Sequence, residues 1–307
     1  MQKIRTVAWL ALASPLFAWA QATPPAGTPV QIMITVGHNY GRQALPLTAD
    51  EILVTQQFDP LPVTNLIPLR GDRAGLELFL LIDRCSDCEP GSKFEELRRF
   101  IVSLPSTTAV GVAYIDAGRL KVVENPTRDH GRAVKALSVP AGSKPASPFS
   151  VLPELIQGWR QGPSRRAILM ISNGIDPAAP DVAPVPSADA AIEAAQRAGV
   201  SIYAIYHPSA DYISADFSKI YSGQVQLAHV ATETGGEAYF MSYGPLPTLA
   251  PFLADMTEHL ANQYLLEFLA TPGESGALRD ITVKSKLPDI DVIAPSRVWV
   301  PGRKSGL

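Results

Sequence analysis

From residue 76 onward, short apolar runs alternate with amphipathic stretches, and this alternation limits the possible folds more than any other feature of the sequence. Residues 76–82 (LELFLLI) are too apolar for a strand with one wet face, so they are predicted to form a strand buried on both sides. Apolar residues then recur at helical spacing over 94–104, and Ser92 followed by Glu95 forms a capping box. The order of strand, loop and helix is typical of a parallel sheet covered by helices.

The same alternation continues to residue 261. Further strands are predicted at 109–116, 119–124, 167–171, 200–206 and 238–241. Further helices are predicted at 128–137, 151–159, 188–198, 211–221, 226–234 and 246–261. Arg165 and Arg166 precede one of these strands and are interpreted as a solvated lead-in. The predicted fold class is therefore α/β, with a doubly wound, mostly parallel sheet.

Short strands with Pro and Gly between them flank this α/β unit on both sides. They are predicted at 30–36, 51–56 and 63–69 before it, and at 263–269, 279–285 and 291–300 after it. Neither flank alone has enough strands to bury a face stably, so the two are predicted to pair into one β-sandwich. The predicted domains are the N-terminal strands (21–72), the inserted α/β domain (73–262), and the C-terminal strands with the tail (263–307).

The N-terminus has the pattern of a secretory signal peptide. Two basic residues precede an apolar run at 7–20, which ends in the small-x-small sequence Ala-Trp-Ala. This pattern predicts a signal peptide over 1–20, cleaved between Ala20 and Gln21. The run is shorter than the about 20 apolar residues that a membrane-spanning helix needs. The mature chain is therefore predicted to be periplasmic or secreted, with no membrane span.

Charge and motif content exclude several function classes. The chain has 26 Lys and Arg against 29 Asp and Glu, a net charge of −3, whereas nucleic-acid binding needs a basic patch or stripe. The sequence contains no G-x-S-x-G, H-E-x-x-H, G-x-x-x-x-G-K-[ST] or G-x-G-x-x-G motif. We therefore interpret the protein as non-catalytic. Its 46% hydrophobic residues are enough for a sizeable core.

Three polar loops follow predicted strands or precede predicted helices. They are 83–88 (DRCSDC), 147–150 (SPFS) and 172–176 (SNGID). In open parallel sheets, ligands bind outside the carboxyl ends of the strands. These loops are therefore the predicted ligand-binding surface.

Five segments occur in a specific order along the chain. They are LLID at 80–83, RRAILMISNGID at 165–176, AGVSIYAI at 198–205, ATETGGEAYF at 231–240 and NQYLL at 262–266. In this order they resemble the exported proteins related to the von Willebrand factor type A domain, and the resemblance spans about residues 30–300. It implies a von Willebrand factor A-like α/β fold and a role in protein interaction or adhesion.

The resemblance also implies a position for a metal-ion-dependent adhesion site. In that superfamily a divalent cation, usually Mg²⁺, is bound by D-x-S-x-S, by a Thr on a second loop and by an Asp on a third. Asp83 matches the first position, whereas Cys85 and Asp87 stand where the two serines belong. Ser147 aligns with the Thr, and Asn173 replaces the third-loop Asp.

These replacements predict a degenerate motif without a bound cofactor. A thiol is a poor ligand for a hard cation, and Asn173 lacks a carboxylate charge. The alternative is a Mg²⁺ or Ca²⁺ site in which Asp176 compensates, since Ca²⁺ accepts irregular carboxylate cages such as Asp83, Asp87 and Asp176. Without a metal, these side chains are expected to shape the loops through hydrogen bonds, and Gly174 to supply a positive φ.

The two cysteines of the chain, Cys85 and Cys88, form one C-x-x-C motif. In an exported protein this pair is predicted to form a disulfide. The alternative is a thiol–disulfide oxidoreductase, although the neighbouring Asp87 and Glu89 oppose a thiolate. A second alternative is a purely structural protein of the cell envelope.

Overall fold

The computed structural model describes residues 27–38, 47–83, 91–138, 146–160, 162, 164–177, 185–208, 217–240 and 247–303. The predicted signal peptide with its cleavage site between Ala20 and Gln21 lies outside the described residues. So do Asp87 and the predicted disulfide partners Cys85 and Cys88.

Strands and helices alternate over the middle of the chain, with strands alone on either side. The strands are β1 Thr28–His38, β2 Ile52–Gln56, β3 Asp59–Leu61, β4 Val63–Pro68, β5 Leu76–Asp83, β6 Thr108–Asp116, β7 Arg119–Thr127, β8 Arg165–Ser172, β9 Val200–Tyr206, β10 Ala238–Tyr239, β11 Gln263–Ala270, β12 Ala277–Asp280, β13 Thr282–Ser285, β14 Ile290–Ile293 and β15 Arg297–Val300. The helices are α1 Gly91–Ser103, α2 His130–Ala136, α3 Leu152–Gly158, α4 Pro186–Ala198, α5 Phe217–Glu233 and α6 Ala250–Ala261. Among the described helices, none is long and apolar enough to cross a membrane.

The central sheet has six strands in the order β10-β9-β8-β5-β6-β7. Five of them run parallel, and β7 pairs antiparallel with β6 through two register shifts. The strand order reverses at β5, which lies between β6 and β8. This is the doubly wound topology, and the predicted α/β class is confirmed.

Helices pack on both faces of the sheet because alternate side chains of its buried strands point to opposite sides. On β5, Leu78 and Leu80 pack with residues of α1, α2 and α6. Phe79 and Leu81 pack with residues of α3, α4 and α5 on the other face. Each fully buried Leu or Phe contributes about 1.5–3 kcal/mol relative to an exposed one. The two apolar layers therefore fix the sheet, and with it the positions of the loops at its ends.

The flanking strands pair with one another across the sequence. β1 runs antiparallel to β11 from Thr28↔Ala270 to Thr35↔Gln263, and β4 and β14 complete this four-stranded sheet. β2 pairs with β3 and β13, and β12 pairs with β15. Apolar residues from both flanks form a third core, which includes Val36, Val54 and Phe268. The two flanks are thus joined, and their description as a β-sandwich stays a prediction.

Some predicted elements were wrong in extent. The two predicted helices at 211–221 and 226–234 are, within the described residues, the single helix α5, because its buried side chains form one continuous stripe through Ile220, Leu227 and Val230. The predicted strand 279–285 is two strands, since the chain changes partner from β15 to β2 at Ile281. The predicted strand 291–300 likewise divides into β14 and β15.

Arg165 and Arg166 are not a solvated lead-in, and that interpretation was wrong. Both side chains are part-buried. Arg165 Nη1 donates at 2.6 Å to the carbonyl oxygen of Leu260 and at 2.6 Å to Gln263 Oε1. Arg166 donates to the carbonyl oxygen of Ala198. Their partners are far away in sequence, so the local pattern gave no indication of them.

Candidate functional site

The candidate site lies where the order of the central strands reverses. β5 ends at Asp83 and β8 ends at Ser172, and the two strands are direct neighbours with Ile82 opposite Ile171. A crevice forms at such a point because the connections leave the sheet in opposite directions. Ser172 Oγ donates to Asp83 Oδ2 at 2.8 Å, so the first and third predicted loops meet at their strand ends.

Burial raises the pKa of the Asp83 carboxyl from 3.8 to about 6, although the hydrogen bond from Ser172 opposes the shift. Loss of water around a carboxylate disfavours its charged form, whereas a donor to its oxygen favours that form. Desolvation is the larger effect here. Asp83 is therefore about half protonated near pH 6.

The loop after β8 is a tight turn held by its own side chains. Ser172 Oγ accepts from the amide of Gly174 at 3.1 Å, and Asn173 Oδ1 accepts from the amide of Ile175 at 2.9 Å. Gly174 has a φ of +69°, which residues with a Cβ rarely adopt. The Asn173 oxygen is thus directed at the backbone of its own loop, which is the usual arrangement of an Asx turn.

Helix α5 lies directly against this turn. A Cβ on Gly174 would lie 2.2 Å from the carbonyl oxygen of Gly223 and 2.6 Å from Leu227 Cγ. A Cβ on Gly223 would lie 2.3 Å from the carbonyl oxygen of Asn173. Only glycine permits this approach, so the turn is fixed by the helix as well as by its hydrogen bonds.

A second hydrogen-bonded group joins the second and third predicted loops. Ser187 Oγ donates to Asp176 Oδ2 at 2.8 Å and lies 2.8 Å from Ser147 Oγ. Ser187 is in the first turn of α4 and was not predicted as a site residue. Its position directly after Pro186 identifies it as a residue at a helix start. The sequence around Ser187 does not indicate that Ser147 lies beside it.

A basic pair lies at the same end of the sheet and was also missed. Lys93 Nζ lies 3.2 Å from His207 Nε2, and the backbone amide of His207 donates to the carbonyl oxygen of Ser172 at 2.8 Å. Burial, together with the charge of Lys93, lowers the pKa of His207 to about 4. The imidazole is therefore neutral at pH 7, and its Nε2 accepts from the Lys93 ammonium.

The side-chain oxygens of the third predicted loop take part in hydrogen bonds within this end of the sheet. Ser172 and Asn173 already use side-chain oxygens within the turn, and Asp176 accepts from Ser187. Among the described residues, no group of three or more His, Cys, Asp and Glu side chains is placed to hold a metal ion. Of the predicted ligands, Asp83, Ser147, Asn173 and Asp176 are described at this end of the sheet.

No protein-family model and no curated protein sequence matches this chain. Several solved structures do match it in fold. Proximal thread matrix protein 1 from the mussel byssus is 14% identical, with a TM-score of 0.42 over 60% of this chain and 48% of that one. The pilus adhesin SpaC from Lactobacillus rhamnosus GG is 8% identical, with a TM-score of 0.45 over 74% of this chain and 44% of that one.

The vWF domain of the type V pili tip protein Mfa5 from Porphyromonas gingivalis is 11% identical. Its TM-score is 0.43, and the match covers 61% of this chain and 94% of that domain. This chain therefore spans about half the length of the byssus protein and the pilus adhesin, and nearly all of the Mfa5 domain. Its fold class rests on its own sheet topology.

Proposed function

We propose that the protein is an exported, non-catalytic interaction module that binds a protein or cell-surface ligand through the loops at the carboxyl end of its central sheet. The observation that carries this proposal is the turn at 172–175, which is held at the reversal point of the sheet by Asp83 and by the packing of α5. We propose that binding is independent of metal, and the hydrogen bonds that Ser172, Asn173 and Asp176 make within the loops support this.

A fixed polar surface suits recognition of a folded partner. Loops that are already ordered lose little conformational entropy on binding, so more of the contact energy appears as affinity. The surface also carries charges of both signs, since Lys93 and Asp176 both lie at the carboxyl end of the sheet. Such mixed charge supports specificity for one partner more than affinity for all anions or all cations.

The flanking strands would support the α/β domain that carries these loops. We propose that the flanking strands form a β-sandwich beneath the inserted α/β domain, with boundaries near residues 72 and 262. The pairing of β1 with β11 and the common core of the flanks support this organisation. Export by the signal peptide at 1–20 would place the module in the periplasm or outside the cell.

The proposal is tested by capture of envelope proteins on the immobilised protein, with and without EDTA. We expect the same partner to be retained in both conditions. The variant Asp176→Ala/Lys93→Ala removes one acid and one base from the carboxyl end and should lose that partner. The matched control Asp72→Ala/Lys284→Ala removes the same charges elsewhere and should retain it. Loss of capture in EDTA, or equal loss in the control, would contradict the proposal.

Calorimetric titration with Mg²⁺ and Ca²⁺ tests the absence of a metal directly. We expect no binding tighter than about millimolar, which is the range of weak extracellular calcium modules. A tighter isotherm that disappears in Asp83→Ala would establish a cation site instead.

The oxidoreductase alternative depends on Cys85 and Cys88 and is tested separately by reduction of insulin. In this assay we expect no activity above that of a Cys85→Ser variant.

A further inference from the structure

A basic cleft lies at the opposite, amino end of the central sheet, where the sheet meets the flanking strands. Its volume is about 500 Å³, and its walls include β1, the start of β8, the end of α4 and β15. It is lined by five arginines: Arg73, Arg165, Arg166, Arg197 and Arg297. No Asp or Glu is among the described residues that line it.

Arg165 is held in the wall of the cleft by neutral groups alone. Its hydrogen bonds go to the carbonyl oxygen of Leu260, to Gln263 Oε1 and, at 3.5 Å, to the carbonyl oxygen of Ala74. Burial lowers the pKa of this guanidinium to about 10, so it remains charged at pH 7. Its Nε is buried and has no hydrogen-bond partner among the described residues. Its positive charge is not offset by an ion pair within the described residues, so it adds to the positive potential of the cleft.

Two further arginines are fixed in position by tryptophans. The guanidinium carbon of Arg197 lies 4.3 Å from the ring centroid of Trp299, and that of Arg166 lies 5.7 Å from the ring of Trp159. Arg197 also pairs with Glu193 at 2.7 Å. Stacking of this kind holds the planar donor fork in one orientation, which lowers the entropy lost when an anion binds.

The remaining two arginines supply charge without an internal partner. Within the described part of the chain, neither Arg73 nor Arg297 forms a salt bridge. Because these two guanidinium groups are not neutralised by a carboxylate of the described chain, their charge is available to a ligand in the cleft.

We infer that this cleft is a binding site for a small organic anion that carries at least two carboxylate or phosphate groups. The guanidinium fork matches the oxygens of both groups, and Arg73, Arg165 and Arg297 carry three charges without an ion pair within the described residues, more than one such group neutralises. The cavity volume lies in the range of small-molecule sites. The site is separate from the carboxyl-end loops and does not depend on their function.

The test is calorimetric titration of the full chain with citrate and, in a separate experiment, with pyrophosphate, in metal-free buffer at about 0.15 M salt, where surface attraction is largely screened. We expect at least one of the two to bind with a Kd below about 1 mM. Tighter binding of citrate identifies a carboxylate ligand, and tighter binding of pyrophosphate identifies a phosphate ligand.

The variant Arg73→Gln/Arg297→Gln should weaken this binding by at least about tenfold, because it removes two charges that have no structural partner. The control Arg119→Gln/Lys121→Gln removes the same charge from exposed positions on β7 and should bind as the unchanged protein does. Emission of Trp299 provides a second readout, since a ligand that contacts Arg197 alters the cation stacked on that ring. Absence of binding by both probes at 10 mM, about tenfold above the expected limit, would overturn the inference, as would equal weakening in the control.

Discussion

The two ends of the central sheet both carry polar side chains, but these side chains have different partners. At the carboxyl end, Asp83, Ser172 and Asn173 bond to one another or to their own backbone. At the amino end, arginines converge on a cleft whose described lining contains no carboxylate. The first arrangement fixes a shape, whereas the second leaves charge available for a ligand.

A polar cluster in a fold can stabilise the folded state, or it can bind a ligand. Residues that complete one another's hydrogen bonds contribute to stability, so their removal should weaken folding. Residues that lack internal partners contribute little to stability, so their removal should affect binding alone. The two ends can therefore be distinguished by measurements of unfolding, and the following variants are ordered by the expected size of the effect.

The largest effect is expected for Gly174→Ala at the carboxyl end. The left-handed conformation costs about 1–2 kcal/mol for a residue with a Cβ, and the clash with Gly223 and Leu227 adds to it. Chemical denaturation should show a loss of about 3–5 kcal/mol. Gly199→Ala, at the amino end, has a φ of +63° but no atom near the added Cβ. Its loss should be only about 1 kcal/mol, and equal losses at the two positions would contradict the close packing.

The second effect is a pH dependence that belongs to the carboxyl end. The pKa of Asp83 is about 6 in the folded chain and near its ordinary value of 3.8 when unfolded, so the folded state binds more protons between these values. Stability should therefore fall as the pH rises from 4 to 6, by at most about 3 kcal/mol. Asp83→Asn should flatten this curve, and Asp72→Asn should leave it unchanged.

The pH dependence of stability can be measured again with added Mg²⁺, as a test for a cation at Asp83. A cation bound to Asp83 would favour its charged form and remove the fall in stability between pH 4 and 6. We expect the denaturation curves with and without about 5 mM Mg²⁺, a few times the weak-site limit, to coincide. A curve that becomes flat with Mg²⁺ would show that this end of the sheet is a metal site after all.

A smaller loss is expected from Ser187→Ala. The substitution removes the hydrogen bond to Asp176 and the contact with Ser147, and it should lower the unfolding free energy by about 1–2 kcal/mol. The control Ser275→Ala alters an exposed serine and should change the unfolding free energy by less than about 0.5 kcal/mol. Equal values for the two serines would mean that the link between the second and third loops is not structural.

The smallest effect on stability is expected for Arg73→Gln and Arg297→Gln. Since neither side chain has an ion pair within the described residues, each substitution should change the unfolding free energy by less than about 0.5 kcal/mol. Thermal or chemical denaturation without added anions measures this. A loss above about 1 kcal/mol would show that these arginines are structural, and the contrast between the two ends would fail.

Much of the central fold could be predicted from the sequence because its signals are local. The apolar run at 76–82 marks β5, and Gly199 ends α4 with a φ of +63°, as a C-terminal cap requires. The end of β5 at Asp83 and the polar loop after β8 were likewise readable from strand order. Each of these features depends on neighbours within a few residues.

The features that were missed depend on contacts between distant parts of the chain. Arg165 was interpreted as solvated because its partners, Leu260 and Gln263, lie more than 90 residues away. Ser187 is a site residue because its hydroxyl contacts Asp176 and Ser147, which lie 11 and 40 residues away. A periodic pattern identifies which face of an element is buried, but it does not identify which other element covers that face.

The outer strands of the central sheet limit where a partner can attach. β10 spans only Ala238–Tyr239, and β7 is antiparallel and irregular in register. An edge that is short or bulged offers few aligned backbone groups to an incoming strand. Growth of the sheet by strand addition, and the aggregation that follows from it, is thereby disfavoured. At the central sheet, attachment of a partner should therefore depend on side-chain contacts rather than on strand addition.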